Sequence, residues 1–155
     1  MAMAGKLARC LGRNESRYDI VRRPDGMTAT ASAPPVPRDR LARAVLLEDR
    51  RGYLVAVIPA SHRLKLAELR AQTGRELTLA HGDGVREVFR DCRADALPAV
   101  GMAYGTQTWL DDSLLGHPDV YFEAGDHEAL VHMHVDEFAV LMADAPRGHF
   151  AHRVM

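Results

Sequence analysis

The sequence predicts a single mixed α/β domain in which a mostly antiparallel, partly closed β-sheet is flanked by short helices. Two observations carry this prediction. Runs of strand-forming residues are joined in pairs by short glycine-containing turns, as in hairpins. Helical patterns are short and irregularly placed, unlike the regular alternation of a doubly wound sheet. At 155 residues and 47% hydrophobic, the chain can bury one sizeable core. We therefore expect one domain over residues 1–155, with its core at about 7–143 and a C-terminal tail at 144–155 that frays.

The first forty residues predict one helix, one strand and a long loop. Apolar residues at helical spacing over 7–11 predict a short helix, which Gly12 and Asn14 end because both tolerate left-handed backbone. A strand is expected around residues 18–21. Residues 25–39 are predicted to form a loop, because proline removes backbone donors and prevents a long helix there.

The central third predicts a hairpin followed by a helix. Residues 44–47 and 53–58 are rich in strand formers, and the polar, glycine-containing segment 48–52 provides the turn. Pro59 ends the second strand. Ser61 is expected to cap a helix that runs to about Thr73, with Gly74 just past its end.

The last third predicts further short elements. A helix is expected over residues 85–91, a loop over 94–105 and a strand over 108–110. Two strands at 120–123 and 130–134 follow, separated by a turn at 125–128. Asp136 is expected to cap a final helix whose inward residues are Phe138, Leu141 and Met142.

Charge is divided unevenly along the chain. Residues 1–90 contain 17 Lys and Arg against 10 Asp and Glu, a charge of +7, whereas residues 91–155 contain 3 against 11, a charge of −8. A basic surface can bind a polyanion through counterion release, and interleaved solvated charges are the alternative explanation. No apolar run approaches the roughly 20 residues of a membrane span. Together with two cysteines that lack metal or redox spacing, this predicts a cytoplasmic protein with reduced thiols.

Three other patterns bear on chemistry. His132 and His134 fall on one face of a strand near His127, but strand alternation explains the pair as a solvent face, so no metal is expected. Asp111 and Asp112 point to opposite faces of an extended chain, so we expect one of them to pin the following turn rather than share a proton. Ser61-His62 and Cys92 suggest nucleophilic catalysis only if distant partners converge.

The stretch LARAVLLEDRRGYLVAVIPASHRLKL, residues 41–66, resembles the opening hairpin of the YbaK/prolyl-tRNA synthetase-associated domain family. The resemblance extends from about Leu7 to Met142. Its other pieces are Pro59-Ala60, the strand and acid element WLDDSL at 109–114, and VYFEAG at 120–125. Members of this family hydrolyse wrongly charged aminoacyl-tRNAs, and their fold is a mostly antiparallel, partly closed sheet with the substrate pocket at one side.

The resemblance implies an aminoacyl-tRNA deacylase that acts on tRNA mischarged with a small amino acid, without a cofactor, a metal or a covalent nucleophile. The partners would be the aminoacylated 3′ end of tRNA and, optionally, an aminoacyl-tRNA synthetase. Arg43 matches the family's pocket lysine and Gly101 its catalytic loop glycine. Substrate-binding positions are Pro98, Asp111 and Gly125. We expect Arg38, Arg40, Arg50 and Arg51 to contact tRNA.

Three positions depart from the family pattern. Arginine at 43 replaces lysine, Asp95 and Ala99 stand at a glycine and a proline of the pocket loop, and the segment 27–37 is proline-rich where relatives often carry a helix. An alternative function follows from these departures: a family member that binds tRNA or a small aminoacyl-like ligand without hydrolysis. A protein–protein module is a third possibility, which requires an exposed apolar patch.

Overall fold

Four short helices surround a large mixed sheet in the computed structural model, which describes residues 3–22, 36–126 and 128–154. The predicted fold class is confirmed. The helices are α1 (Gly5–Arg13), α2 (Leu66–Thr73), α3 (Gly82–Val88) and α4 (Val135–Leu141). Single 3₁₀ turns cover Arg38–Arg40, Gly101–Tyr104 and Asp112–Gly116. Most of the loop predicted at 25–39, including Met27, lies outside the described residues.

Ten strands are defined in the described part of the chain. They are β1 (Asp19–Arg22), β2 (Leu41–Asp49), β3 (Gly52–Pro59), β4 (His62–Leu64), β5 (Thr78–Leu79), β6 (Gln107–Asp111), β7 (Asp119–Glu123), β8 (Ala129–His134), β9 (Arg147–Gly148) and β10 (Ala151–Arg153). The predicted hairpin is β2 and β3, which pair from Ala42 with Pro59 to Asp49 with Gly52. Gly52 has φ +122°, a conformation that favours glycine.

The main sheet has the strand order β1-β8-β7-β2-β3-β6-β9, and β5 also pairs with β2. Hairpin pairings are antiparallel, whereas β2 with β7, β3 with β6 and β6 with β9 are parallel. β4 and β10 form a separate two-stranded ribbon. The sheet is therefore mixed at its centre and antiparallel toward the β1 side.

One edge of β2 changes partner along its length. It pairs with β7 at Leu41 and Ala42 and with β5 at Leu47 and Glu48. Between these pairings, residues 43–45 have no strand partner on that edge within the described chain. We call this gap the sheet opening. It positions the site described below.

Apolar side chains pack on both faces of the sheet. One cluster contains Leu7, Val57 and Phe138, together with partly buried residues of α3. The other contains Ile58, Leu69 and Phe150. Side chains of successive strand residues alternate between the two faces. Consequently α1, α3 and α4 lie on one side of the sheet, and α2 and the β4–β10 ribbon lie on the other.

A buried ion pair links the end of the hairpin to the segment after α2. The Arg75 guanidinium donates to both carboxylate oxygens of Asp49, at 2.8 and 2.6 Å, and to the Gln107 side chain. The side chains of Arg75 and Asp49 are 7% and 8% exposed. The bonds from Arg75 lower the pKa of Asp49 to about 2. The pair fixes the hairpin end against α2.

Two predicted helices start elsewhere. Ser61 does not cap α2 as predicted, because His62–Leu64 is a strand and the helix begins at Leu66 after Lys65. Pairing with β10 favours the extended conformation here, which local sequence does not reveal. The predicted Gly74 C-cap is correct, with φ +68°. α3 covers Gly82–Val88 rather than 85–91, so it begins three residues earlier than predicted.

The C-terminal predictions also need correction. Asp136 does not cap α4: His134 is the N-cap, and its Nδ1 accepts from the Asp136 N–H at 3.2 Å. The segment expected to fray contains strand β10, and Phe150 and Ala151 are fully buried. Apolar contact with the α2 side of the sheet holds this segment in place. Within the described residues, none of the helices has both the length and the apolar character needed to cross a membrane.

Candidate functional site

Arg43 lies at the sheet opening. It pairs with Ile58 across the hairpin, and alternation places its side chain on the same face as Val45 and Leu47. The residue is exposed. Across residues 3–22, 36–126 and 128–154, no hydrogen bond or ion pair engages its guanidinium. A cation without a protein partner is available to a ligand.

A cavity of about 350 Å³ lies at the opening, which we call the opening cavity. The start of β2 forms one wall, and Ala94, Asp95 and Leu97 of the predicted pocket loop form another. Four of its lining residues are alanines: Ala42, Ala44, Ala60 and Ala94. Its charged lining residues are Arg38, Arg43, Asp95 and Glu123. The cavity therefore combines a small apolar floor with charges of both signs.

A second, wider cavity of about 730 Å³ adjoins the first, because both are lined by Arg38, Arg43 and Ala60. The other lining residues come from the segment before β2, from Ser61 and β4, and from the end of β10, and include Asp39, Arg63 and Arg153. The Arg38 guanidinium donates to the Ala60 carbonyl at 2.8 Å, which fixes one side chain shared by both cavities.

A chain of polar contacts crosses the wider cavity. Arg153 Nη2 donates to Asp39 Oδ2 at 2.8 Å, and Ser61 also bonds this carboxylate; these bonds lower the pKa of Asp39 to about 2. Ser61 Oγ also lies 2.8 Å from His62 Nδ1, within hydrogen-bond distance. Burial, followed by the charge of Arg153, lowers the pKa of His62. The lowered pKa makes His62 a weaker base toward the Ser61 hydroxyl, which disfavours Ser61 as a nucleophile.

Gly101 and Pro98 are buried and do not line either cavity. A Cβ added at Gly101 would lie 2.9 Å from Val55 Cγ2 and would also collide with Thr108 Oγ1. The turn at Gly101 therefore lies so close to Val55 of β3 and Thr108 of β6 that it requires glycine. The catalytic role of Gly101 and the substrate-binding role of Pro98 stay predictions.

Asp111 and Gly125 occupy packed positions. Asp111 is fully buried; its Oδ1 accepts from the N–H groups of Phe150 and Ala151 at 2.9 and 3.0 Å, and its Oδ2 accepts from Ser113. The expectation that one acid pins the following turn is met by Asp111, which caps the 3₁₀ turn. Gly125 has φ +116°, and an added Cβ would lie 2.8 Å from Ala4 Cβ. Their substrate-binding roles stay predictions.

The four arginines predicted to contact tRNA are separated. Arg38 lines both cavities, and Arg40 Nη1 is paired with Asp119 Oδ1 at 2.9 Å. Arg50 and Arg51 are exposed at the hairpin turn. Arg50 lies seven residues beyond Arg43, which corresponds to roughly 20 Å along an extended strand.

Metal-ligating residues come together at one place among the described residues: Asp111, Asp112 and His149. Hydrogen bonds to backbone N–H groups and to Ser113 already occupy both oxygens of Asp111. His132 Nε2 lies 2.7 Å from Asp119 Oδ2 and its ring stacks on Tyr121, which gives it a structural partner. His127 lies outside the described residues.

Sequence reasoning missed Asp39, Arg63 and Arg153 as cavity residues. Arg63 and Arg153 meet only because β4 pairs with β10, which aligns His62 with Arg153. A three-residue strand has no local signal that would identify a partner ninety residues away. The basic character of the residues on either side of Leu64 was the one visible indication.

Comparison with known proteins identifies a family and related folds. Residues 24–141, well over half of the chain, match the aminoacyl-tRNA editing domain. No curated protein matches the chain. A solved structure described as a candidate trans-editing enzyme for prolyl-tRNA synthetase is 21% identical with a TM-score of 0.80, covering 95% of each chain. A structure from a computational study of epitope grafting onto scaffold proteins is 20% identical with a TM-score of 0.82, covering 96% of this chain and 97% of the other.

A further structure, described as a candidate signal transduction protein from Marinobacter aquaeolei VT8, is 26% identical with a TM-score of 0.76. The alignment covers 94% of this chain but 30% of that protein, so the chain corresponds to one part of a longer relative. The matched residues include β2, the pocket loop and β7, each of which contributes to the lining of the opening cavity. The chain belongs to the aminoacyl-tRNA editing domain family.

Proposed function

We propose that this domain hydrolyses the ester of tRNA mischarged with a small amino acid, and that the opening cavity holds the aminoacyl group. The observation that carries the proposal is the unpartnered guanidinium of Arg43 at a small, alanine-lined cavity. Family membership supports the reaction class.

The cavity lining supports a small substrate. A volume of about 350 Å³ lies at the lower end of the range for ligand sites, roughly 300 to 1,000 Å³. Alanine side chains leave space for a methyl or hydroxymethyl group, and Leu41 and Leu97 add apolar contact. The α-ammonium group of an aminoacyl ester is a cation. Asp95 and Glu123 line the same cavity and provide carboxylates of complementary charge.

In the proposed reaction, the oxygen of a water molecule attacks the ester carbonyl carbon. The bond from that carbon to the ribose oxygen breaks, a water proton passes to the ribose oxygen, and the products are a free amino acid and tRNA with a free 3′ hydroxyl group. Arg43 would donate to the carbonyl oxygen as negative charge develops there. Preorganised donors of this kind act mainly on the transition state, and no covalent intermediate is required.

A second candidate function is supported by the same residue. Arginine at position 43 presents a broad planar fork instead of a compact ammonium group, and it binds a phosphate or carboxylate through two bonds. Such a site could hold an aminoacyl-tRNA in a stable complex without hydrolysis. The two functions share a ligand and differ in turnover.

The test is a panel of tRNAs charged with glycine, alanine, serine, cysteine, proline or phenylalanine, incubated with purified protein. Release of one or more small amino acids above the spontaneous rate, with phenylalanyl-tRNA at background, is the expected result. If every ester survives, binding should be measured with an amide-linked aminoacyl-tRNA analogue that cannot hydrolyse. Tight binding of this analogue without hydrolysis would favour the second function, and absence of both would exclude the two.

A further inference from the structure

The two cavities continue into a third along the β4–β10 ribbon. The third cavity, of about 310 Å³, shares Arg63, Arg153 and Val154 with the wider cavity. The wider cavity in turn shares Arg38 and Arg43 with the opening cavity. The three cavities therefore adjoin one another in a row from the sheet opening to the outer end of the ribbon, and we call this row the groove.

The groove is strongly basic. Five cationic side chains line its second and third parts: Arg38, Arg43, Arg63, Lys65 and Arg153. We call these five residues the basic track. The lining of these parts includes one carboxylate, Asp39, which is paired with Arg153, so five positive charges and one negative charge give +4. Lys65 is one of the two lysines in the chain.

The composition of the track indicates how it would bind. Arginine pairs with phosphate through two parallel hydrogen bonds. Among the described residues that line the second and third parts of the groove, there is no Phe, Tyr or Trp on which a base could stack. Proteins that bind single strands often add base stacking on aromatic side chains to a positively charged groove that follows the backbone. This groove is therefore suited to a phosphodiester backbone, without preference for base sequence.

We propose that the basic track binds the phosphates of the single-stranded 3′ end of tRNA as that strand leaves the opening cavity. This inference rests on the proposed function, which places the terminal ester in the opening cavity. Because the ester is attached to the last nucleotide, the preceding phosphates must lie just outside that cavity. The track begins there, at Arg38 and Arg43, and continues through Arg63 and Arg153.

Arg63 and Arg153 can be tested separately from the acyl site because neither lines the opening cavity. The test variant is Arg63→Ala with Arg153→Ala. The matched control is Arg86→Ala with Arg90→Ala, two exposed arginines in or just after α3. α3 packs on the opposite face of the sheet from the ribbon.

The measurement is the affinity for a short single-stranded RNA of mixed sequence, taken by fluorescence anisotropy between about 50 and 200 mM salt. Each phosphate contact to a single strand contributes about 0.7 to the slope of log affinity against log salt, so the slope for the test variant should be smaller by about 1.4. The control should keep the wild-type slope. Equal slopes in the test and control variants would overturn the proposal.

The single variant Arg63→Glu distinguishes loss of RNA binding from loss of the fold. The Arg63 side chain is exposed and makes no hydrogen bond or ion pair with the described residues, so its replacement should leave the fold intact while weakening RNA binding more than Arg63→Ala does. RNA affinity equal to wild type in Arg63→Glu would contradict the track.

The two proposals fail in different ways. If RNA binding depends on the basic track but no ester is hydrolysed, the proposal for the basic track stands and the deacylase proposal is excluded. If mischarged tRNA is hydrolysed, and replacing Arg63 and Arg153 changes neither KM nor the salt slope, the deacylase proposal stands and the proposal for the basic track is excluded. If both hold, the double variant should raise KM for mischarged tRNA and leave kcat close to wild type, because these two arginines hold the strand and do not touch the ester.

Discussion

Arg43 carries much of the proposed chemistry, because it is one of two arginines, with Arg38, that line both the opening cavity and the wider cavity. Its exposure, and the lack of a hydrogen-bond or ion-pair partner in the described part of the chain, distinguish it from Arg40 and Arg75, whose guanidinium groups are bound to Asp119 and Asp49. An arginine that stabilises the fold is expected to be paired. Arg43 is therefore free to respond to a ligand.

Replacement of Arg43 by alanine should lower kcat/KM for the best mischarged tRNA by about 100-fold, the usual effect of removing one transition-state donor. Arg43→Lys should retain more activity than Arg43→Ala because it keeps the positive charge. The measurement is single-turnover deacylation, with Arg86→Ala as the control. Equal rates for Arg43→Ala and wild type would remove Arg43 from the mechanism.

Gly101 can be assigned to packing or to catalysis by a matched pair of substitutions. Gly101→Ala should reduce the free energy of unfolding by about 1–3 kcal/mol, because its methyl group would collide with the branched, buried Val55. Gly116→Ala is the control, since an added Cβ there meets nothing within 4 Å. Urea unfolding measures both. Unchanged stability in Gly101→Ala would contradict the packing argument.

At the scale of elements, Asp111 connects β6 to the C-terminal segment that carries β10. Its carboxylate accepts two backbone N–H groups from Phe150 and Ala151. These donors are buried, so water could not replace the carboxylate without local opening. The position of Arg153, and with it one wall of the wider cavity, depends on this anchor.

Asp111→Ala should lower the free energy of unfolding by about 3 kcal/mol, because it leaves two buried donors without an acceptor. Asp112→Ala, at the exposed neighbouring position, should change it by less than about 0.5 kcal/mol. Thermal or urea unfolding gives both values. Hydrogen exchange at Ala151 should also accelerate in Asp111→Ala, and protection equal to wild type would show that the anchor is dispensable.

The sequence predicts elements well where the signal is local. The β2–β3 hairpin and the Gly74 C-cap follow from strand formers and from glycine at positions of positive φ. The β4–β10 ribbon does not follow from local sequence, because His62–Leu64 becomes a strand through pairing with residues far along the chain. For the same reason the predicted site contains Arg43 and Arg38 but not Arg63 or Arg153. Nothing in a local window reveals which distant segment completes a cavity.

At the scale of the whole molecule, the division into a basic and an acidic part of the sequence does not separate two surfaces. Arg40 pairs with Asp119, and Asp39 pairs with Arg153, so ion pairs join the two parts. The basic track also draws residues from both. Arg50 and Arg51, in contrast, stand apart from the groove at the hairpin turn.

Arg50→Ala with Arg51→Ala should weaken binding of whole tRNA and reduce its salt slope by about 0.7 to 0.9 for each phosphate that the two arginines neutralise. The same variant should bind a short single-stranded RNA like wild type, because the hairpin turn lies roughly 20 Å from Arg43 along the strand. Anisotropy titrations with both RNAs test this. A salt slope for whole tRNA that the variant leaves unchanged would exclude the hairpin turn as a tRNA-binding surface.

The sheet opening also has a kinetic consequence. One side is formed by the parallel pairing of Leu41 with Tyr121, which are 80 positions apart in the sequence. The other side is formed by the pairing of Leu47 with Leu79, which are 32 positions apart. Closing such long loops is entropically costly, so pairings of this kind form slowly and late in folding. The β2–β3 hairpin can form early, but it contains no cavity by itself. We expect ligand binding to be regained only in the last phase of refolding, after most of the secondary structure has returned.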